Sequence, residues 1–216
     1  MEQDFWLNRW QTNEIQFHSK EAYPALVEYF LSLPRGKVLV PLAGKSVDML
    51  WLATHGFHVL GVELSPIACE AFFKENKLSY ELVQNPDFTI YRSHSIELWC
   101  GDFLKLPLQA CADINLIYDK AALFALPETI RSEYVAKIKQ LAQNLSSLEM
   151  LLITVEFPQD LKEGPPFVVT EKQVHNLYSD TFKIKKLSAI SKSGFRDHPK
   201  FKNIPIKDVA YWLTKN

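Results

Sequence analysis

The chain has 216 residues, of which 47% are hydrophobic and 23% are charged, and its formal net charge is −1. This composition is that of a folded globular chain and excludes a largely disordered one. No block of basic residues is present, which argues against binding nucleic acid through a broad positive face. We therefore expect one folded domain over residues 1–216.

The cysteines and apolar runs predict the compartment. Cys69, Cys100 and Cys111 are too few and too scattered for a disulfide framework or a zinc site, so we expect inert thiols in a reducing cytoplasm. The histidines form no metal-ligand cluster, and no metal is predicted. No apolar run reaches the roughly 18 residues of a membrane span, and the N-terminus has no signal-peptide pattern. A cytoplasmic monomer without membrane or nucleic-acid partners is the expectation.

Residues 1–20 are rich in large apolar side chains. Trp6 and Trp10 are four residues apart, so they share one face of a short helix. Two interpretations are open: the segment caps the hydrophobic core, which composition favours, or it forms a lid over a ligand site. His18 is a candidate general base, although a packed or solvent-facing histidine is the more common case.

Residues 37–64 predict a strand–helix–strand unit. Lys37–Val40 and Phe57–Val62 are apolar runs, and between them the apolar residues recur at helical spacing. Ser46 is placed to cap this helix and Gly56 to end it. Parallel strands joined by such a crossover bind ligands beyond their carboxyl ends.

Glu63 follows the second apolar run, 19 positions after Gly44. In nucleotide-binding folds an acid at this spacing accepts the ribose hydroxyls. The turn Pro41–Lys45 has one glycine and lacks the spacing that cradles a diphosphate. The pattern favours an adenosine ligand without a diphosphate, such as S-adenosylmethionine, and argues against an NAD-dependent dehydrogenase. An ordinary turn followed by an exposed glutamate is the competing interpretation.

The later segments continue to alternate strands with helices, which predicts an α/β fold with a doubly wound sheet. Gly101-Asp102 follows a strand end and suits an adenine edge, because the carboxylate can accept the amino group and the glycine leaves room for the ring. A plain turn is the alternative. Further helices are predicted at Glu21–Leu33, Glu128–Leu145 and Thr170–Tyr178, and strands at Phe88–Tyr91, Ile96–Cys100, Ile114–Tyr118, Leu148–Val155, Phe182–Ile190 and Val209–Thr214.

Five motifs occur in one order along the chain: Trp6-x3-Trp10 with Phe17-His18, Pro41-Leu42-Ala43-Gly44-Lys45, Gly61-Val62-Glu63, Tyr118-Asp119-Lys120-Ala121-Ala122-Leu123 and Gly164-Pro165-Pro166-Phe167. Together they resemble the thiopurine S-methyltransferase family from about residue 5 to the C-terminus. No single motif is decisive, but their coincidence is specific.

The resemblance implies a Rossmann-like sheet of seven mostly parallel strands, with an antiparallel last strand and helices on both faces. It implies methyl transfer from S-adenosylmethionine to sulfur, with residues 1–20 as an aromatic lid. The acceptor would face Phe17 and the Pro165-Pro166-Phe167 wall. The implied cofactor-binding residues are Trp6, Trp10, Leu42, Glu63, Gly101, Asp102 and Lys120.

Two basic residues are the candidates for holding an anionic acceptor. The family usually has arginine after the Asp119 position, and Lys120 keeps the charge but loses the planar fork. Arg196, in the loop before the last strand, is the best candidate for a second family arginine. We expect Lys120 and Arg196 to be the catalytic residues.

The acceptor class has alternatives. The main interpretation is a small aromatic or heterocyclic thiol. Selenium or tellurium oxyanions, or another soft anion, want the same small, positively rimmed, apolar pocket. A non-catalytic relative that only binds S-adenosylmethionine is kept open by Lys120.

Overall fold

The computed structural model describes residues 3–15, 18–158, 164–193 and 205–216, with only the backbone of 192 and 193. The chain divides into two compact units, Met1–Tyr118 and Asp119–Asn216. The single domain expected over residues 1–216 stays a prediction.

In the first unit, helices alternate with strands as the apolar spacing predicts. Serines begin two of the helices: Ser46 accepts a hydrogen bond from the Asp48 backbone N–H, and Ser65 accepts one from that of Ala68. The elements are α1 (Gln3–Gln11), α2 (Pro24–Phe30), β1 (Lys37–Val40), α3 (Val47–Thr54), β2 (His58–Glu63), α4 (Pro66–Glu75), β3 (Glu81–Gln84), β4 (Thr89–Ser93), β5 (Ile96–Cys100) and β6 (Ile114–Lys120).

The strands of the first unit lie in the order β3-β4-β5-β2-β1-β6. The four strands from β5 to β6 are parallel, and β3 and β4 extend the sheet as antiparallel neighbours of β5. Val38, Leu39 and Leu60 are almost fully buried, as expected for parallel strands covered on both sides. The carboxyl ends of β1, β2 and β5 therefore meet at one edge of the sheet.

The second unit begins inside β6 and ends on antiparallel strands. Thr170 and Gln173 form a capping box at the start of its last helix. The strands that follow lie in the order β7-β9-β8, and β9 is antiparallel to both neighbours, so the expected antiparallel last strand is confirmed. Its elements are α5 (Ala122–Ala125), α6 (Glu128–Asn144), β7 (Glu149–Glu156), α7 (Glu171–Tyr178), β8 (Phe182–Ser193) and β9 (Pro205–Lys215).

Two elements differ from the sequence prediction. The helix expected at Glu21–Leu33 is shortened to α2, because Pro24 takes its first turn and the Tyr23 N–H bonds to Asp48 Oδ1 at 2.8 Å. Within the described ranges there are nine strands, not seven. The two extra strands are β3, which the sequence pattern missed, and β4, which it predicted.

The structure bears on the predictions about the cysteines and about membrane-spanning segments. All three cysteines are free, with Cys69 and Cys111 buried and Cys100 half-buried. None of the helices in the described part of the chain combines the length and apolar character needed to cross a bilayer.

Candidate active site

The turn after β1 has an unusual backbone. Leu42 and Gly44 both have positive φ, of 46° and 55°, which is rare for a leucine. The Ala43 N–H donates to the Val62 carbonyl at 2.8 Å, so the turn is fixed to β2. Backbone held in such a conformation is often found at functional positions, and Leu42 as a cofactor contact stays a prediction.

Glu63 lies at the end of β2 and is 7% exposed. Its Oε2 accepts from the Gly44 N–H and its Oε1 accepts from the Ser65 N–H, both at 2.8 Å. Burial raises the pKa of the Glu63 carboxyl, and hydrogen bonds from nearby backbone N–H groups offset this only in part. The acid therefore ties the glycine turn to the start of α4, a role that its sequence position did not predict. Glu63 as the acceptor of the ribose hydroxyls stays a prediction.

Gly101 does not leave space for a ligand in the way expected. A Cβ there would lie 2.5 Å from the Phe88 ring and 2.7 Å from the Asp87 carbonyl oxygen. The room beside this glycine is thus filled by the chain's own Phe88. The predicted reason, clearance for an adenine ring, is wrong on this side of the backbone, while Gly101 as a cofactor contact stays a prediction.

Asp102 uses both carboxylate oxygens within the protein. Its Oδ1 caps a short 3-10 turn by accepting from the Leu104 N–H at 3.0 Å, and its Oδ2 accepts from Gln3 Nε2 at 3.0 Å. Gln3 belongs to α1. One oxygen of the carboxylate that is predicted to accept the adenine amino group is therefore bonded to an amide NH₂ of the N-terminal helix.

The same helix contacts the glycine turn. Trp10 is 7% exposed, and a Cβ on Gly44 would lie 3.3 Å from its ring. Trp6 is half-buried on α1 and packs edge-to-face on Phe5 at 5.3 Å. The N-terminal segment is helical over Gln3–Gln11 and touches two predicted cofactor positions, Gly44's turn and Asp102. Both the core-cap and the lid interpretations predict such packing.

In the second unit, the end of β6 is held by a buried carboxylate. Asp119 is fully buried, and its Oδ2 accepts from the Tyr134 hydroxyl at 2.7 Å while its Oδ1 accepts from the Leu123 N–H at 3.3 Å. Burial raises the pKa of Asp119 to about 6, with these bonds opposing it. Ala121, between them, has φ 76°. Lys120 is half-buried and stands between Asp119 and this left-handed residue.

The Pro165-Pro166-Phe167 segment is half-buried and packs on α5. The Phe167 N–H donates to the Phe124 carbonyl at 2.8 Å, and the Phe167 ring covers Gly164, whose φ is 92°. The loop is therefore fixed to the small-residue segment that follows Lys120. Pro165, Pro166 and Phe167 as an acceptor-binding wall stay a prediction.

Sequence reasoning missed Arg131, a buried arginine on α6. Its Nε donates to the carbonyls of Leu123 and Leu126, at 3.2 and 2.9 Å, and its Nη1 donates to that of Val168 at 3.2 Å. Its guanidinium carbon lies 5.9 Å from the centre of the Phe167 ring. An arginine between apolar positions of a helical pattern was the signal that could have identified it.

Two predicted residues cannot be located. Phe17 and Arg196 lie outside the described residues. Across the ranges that the structure does describe, no group of three or more His, Cys, Asp or Glu side chains is arranged to hold a metal ion.

The fold defines a class of protein. A crystal structure of Burkholderia thailandensis 1,6-didemethyltoxoflavin-N1-methyltransferase, with bound 1,6-didemethyltoxoflavin and S-adenosylhomocysteine, matches with a TM-score of 0.65 at 15% identity. The match covers 99% of this chain and 87% of that one. The chain has the fold of S-adenosylmethionine-dependent methyltransferases, and the predicted α/β class is confirmed.

The family is defined by sequence. The family model for thiopurine S-methyltransferase matches residues 1–215. A thiopurine S-methyltransferase from Shewanella sp. (strain MR-4) is 39% identical over 221 residues, covering 100% of this chain and 99% of its own. One from Pseudomonas fluorescens (strain SBW25) is 41% identical over 192 residues, covering 88% and 87%. The chain belongs to the thiopurine S-methyltransferase family and is a methyltransferase, as the motifs indicated.

Proposed function

We propose that this chain transfers the methyl group of S-adenosylmethionine to the sulfur of small aromatic or heterocyclic thiols of the thiopurine kind. The observation that carries the proposal is the family match over residues 1–215. The positive-φ turn at Leu42 and Gly44, tied to the buried Glu63, supports an adenosine-bearing donor.

The donor site is assigned to the first unit. Glu63 would accept the ribose hydroxyls, and Leu42 and Trp10 would supply apolar contact. Asp102 would accept the adenine amino group in exchange for Gln3. Trp6, on the same helix as Trp10, and Gly101, next to Asp102, are the remaining proposed donor-binding residues.

The acceptor site is assigned to the second unit, where Phe167 and Pro166 present an apolar wall on α5. Lys120 would hold the thiolate, with Arg196 as its predicted partner. Phe17 and Pro165 are the further predicted wall residues. A thiolate and a sulfonium neutralise each other as the methyl moves, so a dry, apolar wall favours the reaction.

Little proton chemistry is then required of the protein. A heterocyclic thiol that ionises near neutral pH arrives as its own nucleophile, and methyl transfer leaves a neutral thioether. Holding the donor and acceptor in line is the main contribution, worth up to about 7–11 kcal/mol in well-oriented reactions. We also propose that the protein acts in the cytoplasm and as a monomer.

The test is methyl transfer from labelled S-adenosylmethionine to 6-mercaptopurine, with selenite as a parallel acceptor. We expect a labelled methyl thioether, and an acceptor kcat/KM at least tenfold lower in Lys120→Ala. Donor binding without methylation of 6-mercaptopurine would overturn the proposal. Transfer to selenite alone would move the acceptor to the soft-oxyanion class.

A further inference from the structure

One face of α6 carries two buried polar side chains. Arg131 and Tyr134 are three residues apart, so they are neighbours on the helix surface. They are 4% and 2% exposed. Arg131 bonds to the chain around α5 and to the residue after Phe167, and Tyr134 bonds to Asp119, ahead of α5.

Arg131 joins α5 to the loop that bears Phe167. It bonds to the carbonyl of Leu123 in α5, to that of Leu126 directly after α5, and to that of Val168 next to Phe167. One planar guanidinium thereby fixes the spacing between α5 and the loop that bears Phe167. Three carbonyl partners at fixed angles suit the rigid fork of arginine and cannot all be met by lysine.

Tyr134 acts on the turn before α5. Its hydroxyl donates to Asp119, whose other oxygen accepts the Leu123 N–H. Leu123 is therefore held at both backbone groups, its N–H by Asp119 and its C=O by Arg131. The segment between Asp119 and Leu123 contains Lys120 and the left-handed Ala121, a conformation that costs about 1–2 kcal/mol for a residue with a side chain.

A contribution to folding stability alone does not explain why a buried arginine occupies position 131. Among the described residues its Nη2 is buried without a hydrogen-bond partner, and none of the ion pairs there includes it. Burial lowers the pKa of Arg131, as expected for a cation taken out of water. Burying a charge without a counter-ion is costly, even when hydrogen bonds satisfy part of it. A residue kept at this cost is better explained by the geometry that it imposes on its partners.

We propose that Arg131 and Tyr134 are positioning residues of the acceptor site. Arg131 sets how Phe167 is placed against α5, and Tyr134, through Asp119, sets the position of Lys120. The inference rests on the proposed function, since it concerns where the acceptor is bound. Neither residue touches the reacting atoms.

The experiment compares substitutions with matched controls on the same unit. Arg131→Met removes the fork and keeps the volume, and Arg131→Lys keeps the charge. Lys139→Met is the control for charge, because it removes a half-buried cation of the same helix α6 that pairs with Asp180, outside that helix. Tyr134→Phe is matched by Tyr178→Phe, which removes a buried hydroxyl with no partner among the described residues.

Each variant is measured for 6-mercaptopurine KM and kcat, for S-adenosylhomocysteine Kd by calorimetry, and for melting temperature. We expect Arg131→Met and Arg131→Lys to lower acceptor kcat/KM at least tenfold, mainly through KM. Tyr134→Phe should lower it several-fold. S-adenosylhomocysteine Kd should stay within twofold of the wild type, and both controls should behave as the wild type.

The outcomes distinguish a failure of the proposed function from a failure of the positioning roles alone. A wild type that does not methylate 6-mercaptopurine overturns the proposed function and this inference with it. An active wild type with unchanged Arg131→Met kinetics overturns only the inference. A parallel loss of acceptor and S-adenosylhomocysteine binding in the folded Arg131→Lys variant also overturns it, because a general loss of structure would then explain the effect.

Discussion

Replacing Glu63 by glutamine tests the donor site most directly. The carboxylate now accepts from the Gly44 and Ser65 N–H groups, one with each oxygen, at 2.8 Å. A glutamine keeps one acceptor, and its NH₂ must face one of these two N–H groups. The turn that holds Leu42 must then shift, and in the proposed donor site one ribose hydroxyl would lose its acceptor.

The size of the effect follows from these bonds. A hydrogen bond to a charged group is worth about 1.5–3 kcal/mol. Losing one on the ligand side weakens binding by roughly 10–150-fold. Thermal stability should change little, because the substitution also removes a charge whose burial is unfavourable, as the raised pKa of Glu63 shows.

Calorimetric titration with S-adenosylhomocysteine at neutral pH measures this change. Glu81→Gln, on the exposed strand β3, is the control and should bind as the wild type. A Glu63→Gln protein that is folded and binds S-adenosylhomocysteine within twofold of the wild type would refute the assignment of Glu63 to the ribose.

Three further predictions concern neighbouring residues. The pKa of Asp119 is about 6 in the folded state against an ordinary value of 3.8, so the folded state binds the proton more tightly. Protonated Asp119 contributes up to about 3 kcal/mol to the free energy of unfolding, which is fully present below pH 3.8 and is lost as pH rises through 6. The free energy of unfolding of the wild type should therefore fall by this amount over that pH range relative to Asp119→Asn. Gly101→Ala should destabilise the ligand-free protein by about 1–3 kcal/mol, because its Cβ would overlap the Phe88 ring; an unchanged denaturation midpoint would contradict that packing. Gln3→Ala should tighten S-adenosylhomocysteine binding by about two- to fivefold, since it frees Asp102 of a bond worth about 0.5–1 kcal/mol; weaker binding in calorimetry would show that Gln3 supports the ligand instead.

The strand–helix–strand unit was predictable because its signals are local. Apolar runs, the Ser46 cap and the spacing from Gly44 to Glu63 each act over a few residues, and the structure has these elements where the sequence placed them. The edge strand β3 was missed because it lacks such a local signal. It has exposed or half-buried side chains throughout, so its residues carry no hydrophobic alternation.

The roles of single polar groups were less predictable. Nothing in the sequence shows that Asp102 bonds to Gln3, 99 positions away, or that Phe88 fills the space beside Gly101. Arg131 reads as one of many charged residues on a helix until its three carbonyl partners are seen. Such contacts depend on tertiary packing, which the pattern of one segment does not encode.

The bond between Gln3 and Asp102 has a consequence for nucleobase choice. If Asp102 reads an adenine, the ligand's amino group replaces an amide donor that was already in place, and the exchange gains little affinity. A base with a carbonyl at that position, as in S-inosylhomocysteine, offers no donor and leaves two oxygens in opposition. Asp102 would then discriminate against hypoxanthine while adding little affinity for adenine.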